Sequence, residues 1–360
     1  LDLSKLPDSI AFLFTKYEGT LLRPRSNPQE TGQRTMIDDP VLLDEWYIVA
    51  TARELEEDTL LAARLWDEDL VLWRNDGAVI AWRDYCIHRG AKLSPGRVKD
   101  GTVECPYHGW RYDQTGMCSL IPAHPEMKPP AKARATVYRA IESDGFIWVS
   151  LGTPTQDPHR FPEYSDDGYR KVMAGPYNYH GNPFRTVENF LDAAHFPFVH
   201  ANINGDPDNP EPIGDYEVFA DENGVRTGPI PRYQPLGDHR GIPITAYYQY
   251  SCPRPLSAYF AKDTGEGNRF CTFMAVTPLA TDDCILWVQI AINYGFDLPE
   301  PQILERQDAV YNQDKPIIES QRPHPLPLDL KRELHLRSDK YCVAYRKWLK
   351  ELGITWGVSQ

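Results

Sequence analysis

The sequence contains no uninterrupted apolar stretch close to the roughly 20 residues that a membrane-spanning helix needs. An apolar patch at residues 10–14 follows no basic leader and is shorter than the hydrophobic core of a signal peptide. Neither a transmembrane helix nor a secretory signal is predicted, so a cytoplasmic protein is expected. The chain also lacks a GxGxxG motif that opens a βαβ unit, which argues against a nicotinamide or flavin site of its own.

Cysteine is scarce, since seven residues are scattered through 360 without the density of a disulfide-stapled fold. An odd number of such cysteines indicates a reducing compartment. Basic residues are also in deficit, because 38 Lys and Arg face 51 Asp and Glu, a net charge of −13 that argues against a nucleic-acid partner. Residues 81–139 reverse this sign, with ten basic against five acidic side chains, a local charge of +5.

Proline is abundant, with 32 residues, whereas the 24 glycines are ordinary for this length. Such a composition favours many short strands and fixed loops over long helices, and the length suits two domains. We predict an irregular N-terminal extension at residues 1–44, an all-β domain at 45–152, a linker at 153–164 and a larger α+β domain at 165–360.

Turn residues and the alternation of apolar side chains locate individual elements. The turn Asn75-Asp76-Gly77 between two apolar runs predicts a β-hairpin. The second domain begins with a polar helical stretch near residues 186–200. Later strands alternate aromatic or β-branched side chains, and two helices precede the end of the chain. These strands are predicted at residues 246–250, 270–276 and 285–292, and the helices at residues 302–320 and 342–352.

The first metal-ligand motif consists of two short Cys/His arms. Cys86 and His88 form a C-x-H arm, and Cys105 and His108 form a C-x-x-H arm after sixteen intervening residues. Two thiolates and two imidazoles suit a [2Fe–2S] cluster in which one iron has neutral ligands, which raises the reduction potential. The same atoms also suit a Cys2His2 zinc site. The spacing alone leaves both alternatives open.

A second motif lies in the helical stretch, where His195 and His200 are five residues apart. On a regular helix their side chains diverge by about 140°, so one metal ion binds both only where the helix bends or ends. Pro197 lies between them, lacks an N–H and is expected to cause such a break. Asp192, one turn before His195, is expected to hydrogen-bond that imidazole.

Taken alone, two histidines in a helix are more often structural than metal-binding, and the residues leave both alternatives open. If they bind iron in a two-His-one-carboxylate face, the carboxylate comes from another part of the chain. Such a face binds iron and keeps open positions for O2. The helix predicted at residues 302–320 offers three candidate carboxylates, and the residues alone leave the choice open. These candidates are Asp308, Asp314 and Glu319.

Together these segments resemble those of the Rieske non-haem iron oxygenases. CIHRGAKLSPG followed by CPYHGWRYDQTGMC is similar to the cluster-binding loops of that family, and ENFLDAAHFPFVH is similar to its mononuclear iron motif. QDKPIIESQ resembles the C-terminal ligand segment, with Asp314 in the ligand position. HFPFVH, DKPIIESQ and YRKWLKELG look like segments of the caffeine-type N-demethylases and of the hydroxylases of saxitoxin biosynthesis.

The resemblance implies a Rieske [2Fe–2S] domain followed by a helix-grip catalytic domain with a curved antiparallel sheet. It implies that the two Cys/His arms bind the cluster and that His195, His200 and Asp314 bind a mononuclear Fe(II). The co-substrate would be O2, and NAD(P)H electrons would arrive through a separate reductase or ferredoxin. The positive segment at residues 81–139 would suit an acidic ferredoxin.

The resemblance also implies a homotrimer with its subunits arranged head to tail. Asp192 resembles the carboxylate that bridges a cluster histidine of one subunit, here His108, to an iron histidine of the next, here His195. Electrons would then cross from subunit to subunit. The expected reaction is monooxygenation of a small organic molecule, either by C–H hydroxylation or by oxidative N- or O-demethylation.

Three alternatives remain compatible with the sequence. Related enzymes dihydroxylate aromatic rings, a Rieske protein can serve electron transfer alone, and a ligand-binding module with structural zinc would use the same Cys/His arms. If the protein is an oxygenase, residues 201–300 are expected to supply an aromatic pocket. The aromatic candidates are Tyr216, Phe219, Tyr247, Tyr248, Tyr259, Phe270 and Phe273.

Overall fold

The computed structural model describes residues 37–237 and 240–360. Most of the predicted N-terminal extension therefore lies outside the described residues. Within the described part, no helix is both long enough and apolar enough to cross a membrane. Strands outnumber helices and the first domain is built from strands alone apart from short turns, which confirms the predicted α+β class with an N-terminal β domain.

The described chain begins with helix α1 (Pro40–Leu43), which Asp39 caps. One carboxylate oxygen of Asp39 accepts a hydrogen bond from the Leu42 amide at 3.1 Å, as N-cap residues do. The other oxygen accepts a hydrogen bond from the Thr355 amide at 2.7 Å. This fully buried aspartate therefore joins the two ends of the described chain.

Ten strands build the N-terminal domain. Their bounds are β1 Tyr47–Thr51, β2 Leu60–Leu65, β3 Glu68–Asn75, β4 Ala78–Arg83, β5 Arg97–Lys99, β6 Thr102–Glu104, β7 Arg111–Tyr112, β8 Cys118–Leu120, β9 Val137–Ser143 and β10 Phe146–Ser150. A six-stranded sheet has the order β1-β10-β9-β4-β3-β2, and a four-stranded sheet has the order β5-β6-β7-β8. All of these pairs are antiparallel, so short connections suffice.

The predicted hairpin is confirmed as strands β3 and β4. Asn75 pairs with Ala78, so the loop has two residues, Asp76 and Gly77. Both have positive φ, 51° and 78°, as a type I′ turn requires. A tight turn of this type fixes the register of the sheet whose next loop carries the first Cys/His arm.

Eight strands form the main sheet of the C-terminal domain. Their bounds are β11 Arg170–Tyr179, β12 Val218–Asp221, β13 Gly224–Thr227, β14 Ile230–Gln234, β15 Ile244–Arg254, β16 Ser257–Asp263, β17 Arg269–Ala280 and β18 Asp283–Ile292. The order is β11-β18-β17-β16-β15-β13-β12, and β14 also pairs with β15. The short strands β19 (Leu326–Pro327) and β20 (Val358–Ser359) pair separately and are parallel.

Among the described residues, the C-terminal domain also contains four α-helices: α2 Pro183–Leu191, α3 Phe196–Val199, α4 Glu300–Ser320 and α5 Lys340–Glu351. The two late helices agree with their predicted bounds to within two residues. The continuous helix predicted near residues 186–200 is wrong, because the chain leaves the helix after Leu191 and forms a separate single turn at α3. This break is what shapes the site described below.

The two domains share an aromatic core, and residues 151–169 connect them without a strand or helix. The ring of Phe273 lies 6.2 Å from Trp148 of the first domain and 5.9 Å from Phe161 of the connection. His159 is also anchored, because its Nδ1 lies 2.9 Å from Ser257 Oγ. Burial lowers the pKa of His159 to about 3, so this histidine is neutral and serves packing.

Candidate metal centres

The two Cys/His arms form equivalent turns that bring four side chains to one end of the N-terminal domain. Gly90 N donates to Cys86 O at 2.8 Å, and Gly109 N donates to Cys105 O at 3.0 Å. Both glycines have positive φ, 71° and 66°, a conformation that a side chain disfavours. The turns therefore depend on glycine four residues after each cysteine.

The four predicted cluster ligands divide into a buried and an open pair. Cys86 and Cys105 are each only 2% exposed, whereas His88 is half-buried and His108 is exposed. The two imidazole rings have centroids 4.5 Å apart. Desolvation, with smaller contributions from His108 and Arg89, lowers the pKa of His88 and favours its neutral, metal-binding form.

These residues fit a cluster held between the arms. His88 Nδ1 is buried and has no hydrogen-bond partner among the described residues, as expected of an atom that binds iron. The indole of Trp110 stacks on the His88 ring at 4.5 Å with an angle of 7° and fixes its plane. The two sulfurs are thus buried, and the imidazoles lie closer to the surface.

Two residues that sequence reasoning missed support this centre. Tyr112 Oη lies 3.1 Å from Cys86 Sγ, and both groups are buried. Asp84, which is 5% exposed, accepts hydrogen bonds from the amides of Leu93 at 2.6 Å and Ser94 at 2.8 Å. Tyr112 contacts the sulfur of a predicted ligand, and Asp84 holds the loop that follows the first arm. The only feature of the sequence that could have pointed to these two residues is their proximity to the Cys/His arms.

The second motif brings three predicted ligands together. His200 Nε2 lies 3.2 Å from His195 Nε2 and 3.2 Å from Asp314 Oδ1, and His195 Nε2 lies 3.6 Å from the same oxygen. Ligand atoms about 2.1 Å from one ion and at right angles are about 3 Å apart. Asp314 Oδ1 is buried without a hydrogen-bond donor among the described residues, so the three atoms fit one face of an octahedral metal ion.

The local sequence produces this convergence by ending a helix. Asp192 is the C-cap of α2 with extended backbone, and its Oδ1 accepts from Ala194 N at 2.7 Å, which forms a tight turn. His195 then precedes α3 and His200 follows it. Pro197 was expected to cause the break, but it lies inside α3, in the first turn, where its missing N–H costs nothing.

Hydrogen bonds outside the ligand set orient both imidazoles. Asp192 Oδ2 lies 3.3 Å from His195 Nδ1, as predicted, and Gln313 Oε1 lies 3.0 Å from His200 Nδ1. Burial raises the pKa of the Asp192 carboxyl, but the hydrogen bond to His195 lowers it. The hydrogen bond and the other favourable contacts outweigh burial, so this pKa lies below its usual value. An acceptor at each Nδ1 keeps the proton there and leaves each Nε2 lone pair free for metal.

The other two candidate carboxylates lie elsewhere. Asp308 is exposed and accepts a hydrogen bond from Tyr177 Oη at 2.7 Å. Glu319 accepts from the His180 amide at 2.8 Å. Of the three acidic residues considered in α4, only Asp314 faces the two histidines.

A cavity adjoins this face. Helices α2 and α4 and strands β15 to β18 contribute its walls. The aromatic lining residues are Tyr179, Phe190, Phe196, Tyr248, Tyr250, Phe260, Phe270 and Tyr311. Polar groups among the lining residues include Thr186, Asn189 and Gln307.

The predicted aromatic pocket was only partly right, because just Tyr248 and Phe270 of the expected set line the cavity. Successive residues of a strand point to opposite faces, so Tyr247 is exposed while Tyr248 faces inward. Tyr259 and Phe273 lie on the other face of the sheet, in the core shared with the first domain. The remaining two predicted residues, Tyr216 and Phe219, also lie outside the cavity lining.

Known proteins share both domains. Residues 45–135 match the Rieske [2Fe-2S] domain, and residues 179–354 match the vanillate O-demethylase oxygenase C-terminal domain. Methylxanthine N1-demethylase NdmA of Pseudomonas putida is 32% identical over 85% of this chain and 88% of its own length. Methylxanthine N3-demethylase NdmB of the same species is 30% identical over 89% and 93%.

Solved structures agree with these matches. NdmA with caffeine superposes with a TM-score of 0.77 at 31% identity, covering 86% of this chain and 91% of that one. Dicamba monooxygenase bound to dicamba, at 24% identity and a TM-score of 0.72, shares the fold. The chain belongs to the Rieske non-haem iron oxygenases: it is a terminal oxygenase with a Rieske [2Fe–2S] cluster and a mononuclear iron, which uses O2 and NAD(P)H electrons supplied by a reductase.

Proposed function

We propose that the protein hydroxylates a methyl group on a nitrogen or oxygen of a planar aromatic molecule, and that the methyl group then leaves as formaldehyde. The observation that carries this proposal is the aromatic cavity beside His195, His200 and Asp314. Flat aromatic walls favour flat aromatic substrates. The relatives NdmA and NdmB are methylxanthine N-demethylases, which supports the same reaction for this chain.

In this proposal Cys86, His88, Cys105 and His108 hold the [2Fe–2S] cluster. The mononuclear iron, held by the His195–His200–Asp314 face, supplies O2 activation. The protein contributes the geometry: Asp192 and Gln313 fix the proton of each histidine at Nδ1. The aromatic walls exclude water and orient the methyl group toward the open side of the three-ligand face.

We further propose a homotrimer in which Asp192 connects His195 to His108 of the neighbouring subunit, so that electrons cross from subunit to subunit. Two features support this. His108 is exposed, and the Asp192 side chain is 29% exposed although it contacts His195. We also propose the domain limits predicted from the sequence: a Rieske domain at residues 45–152, a linker at 153–164 and a catalytic domain at 165–360.

Complementation tests the trimer. Co-expressed Cys86→Ser subunits lack a cluster, and His195→Ala subunits lack the mononuclear iron, so either alone should be inactive. A mixed oligomer should regain activity, because the cluster of one subunit can supply the iron of the next. Inactive mixed oligomers, with each variant folded and carrying its remaining centre, would contradict electron transfer between subunits.

We also propose that a reductase or ferredoxin docks on the cluster end of the N-terminal domain, where the +5 segment at residues 81–139 opposes the acidic charge of the whole chain. The oxidoreductase NdmD of Pseudomonas putida is 37% identical to this chain over 118 residues, a fifth of the length of NdmD. This match supports a reductase of that kind as the electron donor. A cytoplasmic location agrees with seven cysteines that are all free.

A single turnover tests the demethylation itself. Iron-loaded protein is reduced chemically and exposed to O2 with caffeine, with theobromine, and with methoxy-substituted aromatic acids. Formaldehyde should appear in proportion to the mononuclear iron present for at least one of these compounds. A cis-diol from an unmethylated ring, without formaldehyde from any methylated compound, would favour ring dihydroxylation instead. No O2 uptake with any compound would favour the alternative that the protein serves only electron transfer.

A further inference from the structure

A tyrosine pair extends from the cavity away from the iron site. Tyr311 lines the cavity, is 6% exposed and lies one helical turn before Asp314 on α4. Its ring packs against the ring of Tyr177 on β11, with centroids 4.9 Å apart and an angle of 31°. The two aromatic systems are therefore in direct contact, and one of them borders the site where O2 reacts.

The second tyrosine of the pair is hydrogen-bonded to an acid at the surface. Tyr177 is 8% exposed, and its Oη donates to Asp308 Oδ1 at 2.7 Å. Asp308 is exposed to solvent. Cavity, Tyr311, Tyr177 and Asp308 thus follow one another from the interior to the surface.

We propose that Tyr311, Tyr177 and Asp308 form an escape route for oxidising equivalents, which operates when O2 has reacted at the iron site and no substrate is present. One electron leaves Tyr177 through the adjoining ring of Tyr311 toward the iron site. The phenolic proton of Tyr177 passes at the same time to Asp308 Oδ1. The products are a neutral phenoxyl radical on Tyr177, a protonated Asp308 and an iron site reduced by one electron.

The hydrogen bond to a carboxylate is what selects Tyr177 for this role. A phenol that loses an electron becomes a strong acid, so its oxidation is easy only where a base takes the proton. Burial, together with the hydrogen bond to Asp308, raises the pKa of Tyr177, which keeps the proton on the phenol until the electron leaves. Tyr179 offers a contrast, because its Oη donates to the main-chain carbonyl of Tyr311, which cannot take a proton.

The radical is repaired at the surface. A small reductant such as a thiol or ascorbate donates one electron to Tyr177, and the proton returns from Asp308 to the phenolic oxygen. The cycle therefore consumes one external electron for each oxidising equivalent and leaves the protein unchanged. Without this route, each oxidising equivalent at the iron site would oxidise the aromatic side chains that line the cavity.

Freeze-quenched electron paramagnetic resonance tests the route in the holoenzyme. Reduced protein with both metal centres is mixed with O2 without substrate, in preparations with ordinary and with ring-deuterated tyrosine. A radical whose hyperfine pattern narrows on deuteration is expected, and saturating substrate should suppress it. In Asp308→Asn the hydrogen-bond acceptor remains but the base is lost, so radical yield should fall at least about tenfold, equivalent to about 1.4 kcal/mol.

Two further variants complete the experiment. Tyr177→Phe should abolish the radical and increase hydroxylation of cavity residues, measured by mass spectrometry of digested protein. Tyr345→Phe is the control, because it removes another buried phenol, one that donates to Pro255 O at 2.7 Å, and should leave the radical unchanged. The inference rests on the oxygenase activity, so O2 uptake is measured in the same samples.

The outcomes separate the two claims. Absent O2 uptake, with and without substrate, contradicts the proposed function. Normal O2 uptake without a tyrosine radical, or a radical of equal yield in the wild type, Asp308→Asn and Tyr177→Phe, overturns the escape route alone.

Discussion

Gln313 Oε1 lies 3.0 Å from His200 Nδ1, and Gln313 immediately precedes Asp314, the proposed third ligand, in the chain. One turn of α4 therefore carries both a proposed metal ligand and the group that orients another. The counterpart at His195 is a carboxylate, Asp192. The two imidazoles are thus held by acceptors of different charge.

Replacing Gln313 with Leu should weaken iron binding at the mononuclear site by about 10–100-fold, the usual effect of losing such a partner. Gln313→Glu keeps an acceptor and should retain most of the affinity. Iron affinity is measured by titrating apoprotein while the cluster spectrum serves as an internal reference. Gln302→Leu, an exposed position at the start of the same helix, is the control. Equal affinities in Gln313→Leu and this control would contradict the assignment.

Tyr112 should raise the reduction potential of the cluster. Once Cys86 binds iron as a thiolate it has no proton, so Tyr112 must be the donor over 3.1 Å. Such a bond stabilises the more negative, reduced cluster. A bond worth about 1 kcal/mol corresponds to roughly 40 mV for one electron, so Tyr112→Phe should lower the potential by about that amount.

Redox titration followed by the visible spectrum checks this shift. Tyr85→Phe is the matched control, because Tyr85 lies beside the first cluster loop and packs near Gly90. A potential in Tyr112→Phe that equals the potential of the control would show that the phenol does not bond the sulfur.

A buried ion pair stabilises the helix that leads to the iron site. Arg346 Nη2 on α5 lies 2.7 Å from Glu188 Oε2 on α2, and both residues are at most 9% exposed. Arg346→Met leaves the glutamate buried without this partner, so the free energy of unfolding should fall by about 3–5 kcal/mol. Lys347→Met, at an exposed neighbouring position, should change it little.

The loss in Arg346→Met should depend on pH. Burial raises the pKa of Glu188 even with the arginine present, and removing Arg346 raises it further. The folded state then binds a proton more readily than the unfolded state, so the variant loses stability as pH rises above the ordinary range of a glutamate. Urea unfolding at acidic and at neutral pH measures this. A deficit that grows toward acidic pH would contradict the buried charge.

The sequence predicted those parts of the site that depend on ligand chemistry and spacing. The structure brings His195, His200 and Asp314 together and buries both cysteines of the arms. That these residues bind iron stays a prediction. The two late helices of the second domain were predicted to within two residues, whereas the helix predicted near residues 186–200 is broken. Ligand identity is readable because few residue types bind iron.

Features that depend on tertiary contacts were not predictable. Pro197 seemed the natural break, yet the side chain of Asp192 closes the turn that ends α2. The partners Gln313 and Tyr112 become visible only when α4 and β7 are positioned. The prediction of the aromatic residues that line the cavity was partly wrong for a related reason. Strand register decides which of two neighbours, Tyr247 or Tyr248, faces the cavity.

The most direct measurement of the central claim is the iron content, visible spectrum and turnover of His195→Ala. If the Cys/His arms hold the cluster and His195 holds the separate iron, the variant keeps its visible Rieske spectrum, loses the mononuclear iron and forms no formaldehyde. Loss of the Rieske spectrum, or normal turnover with full iron, would contradict the division of the protein into these two centres.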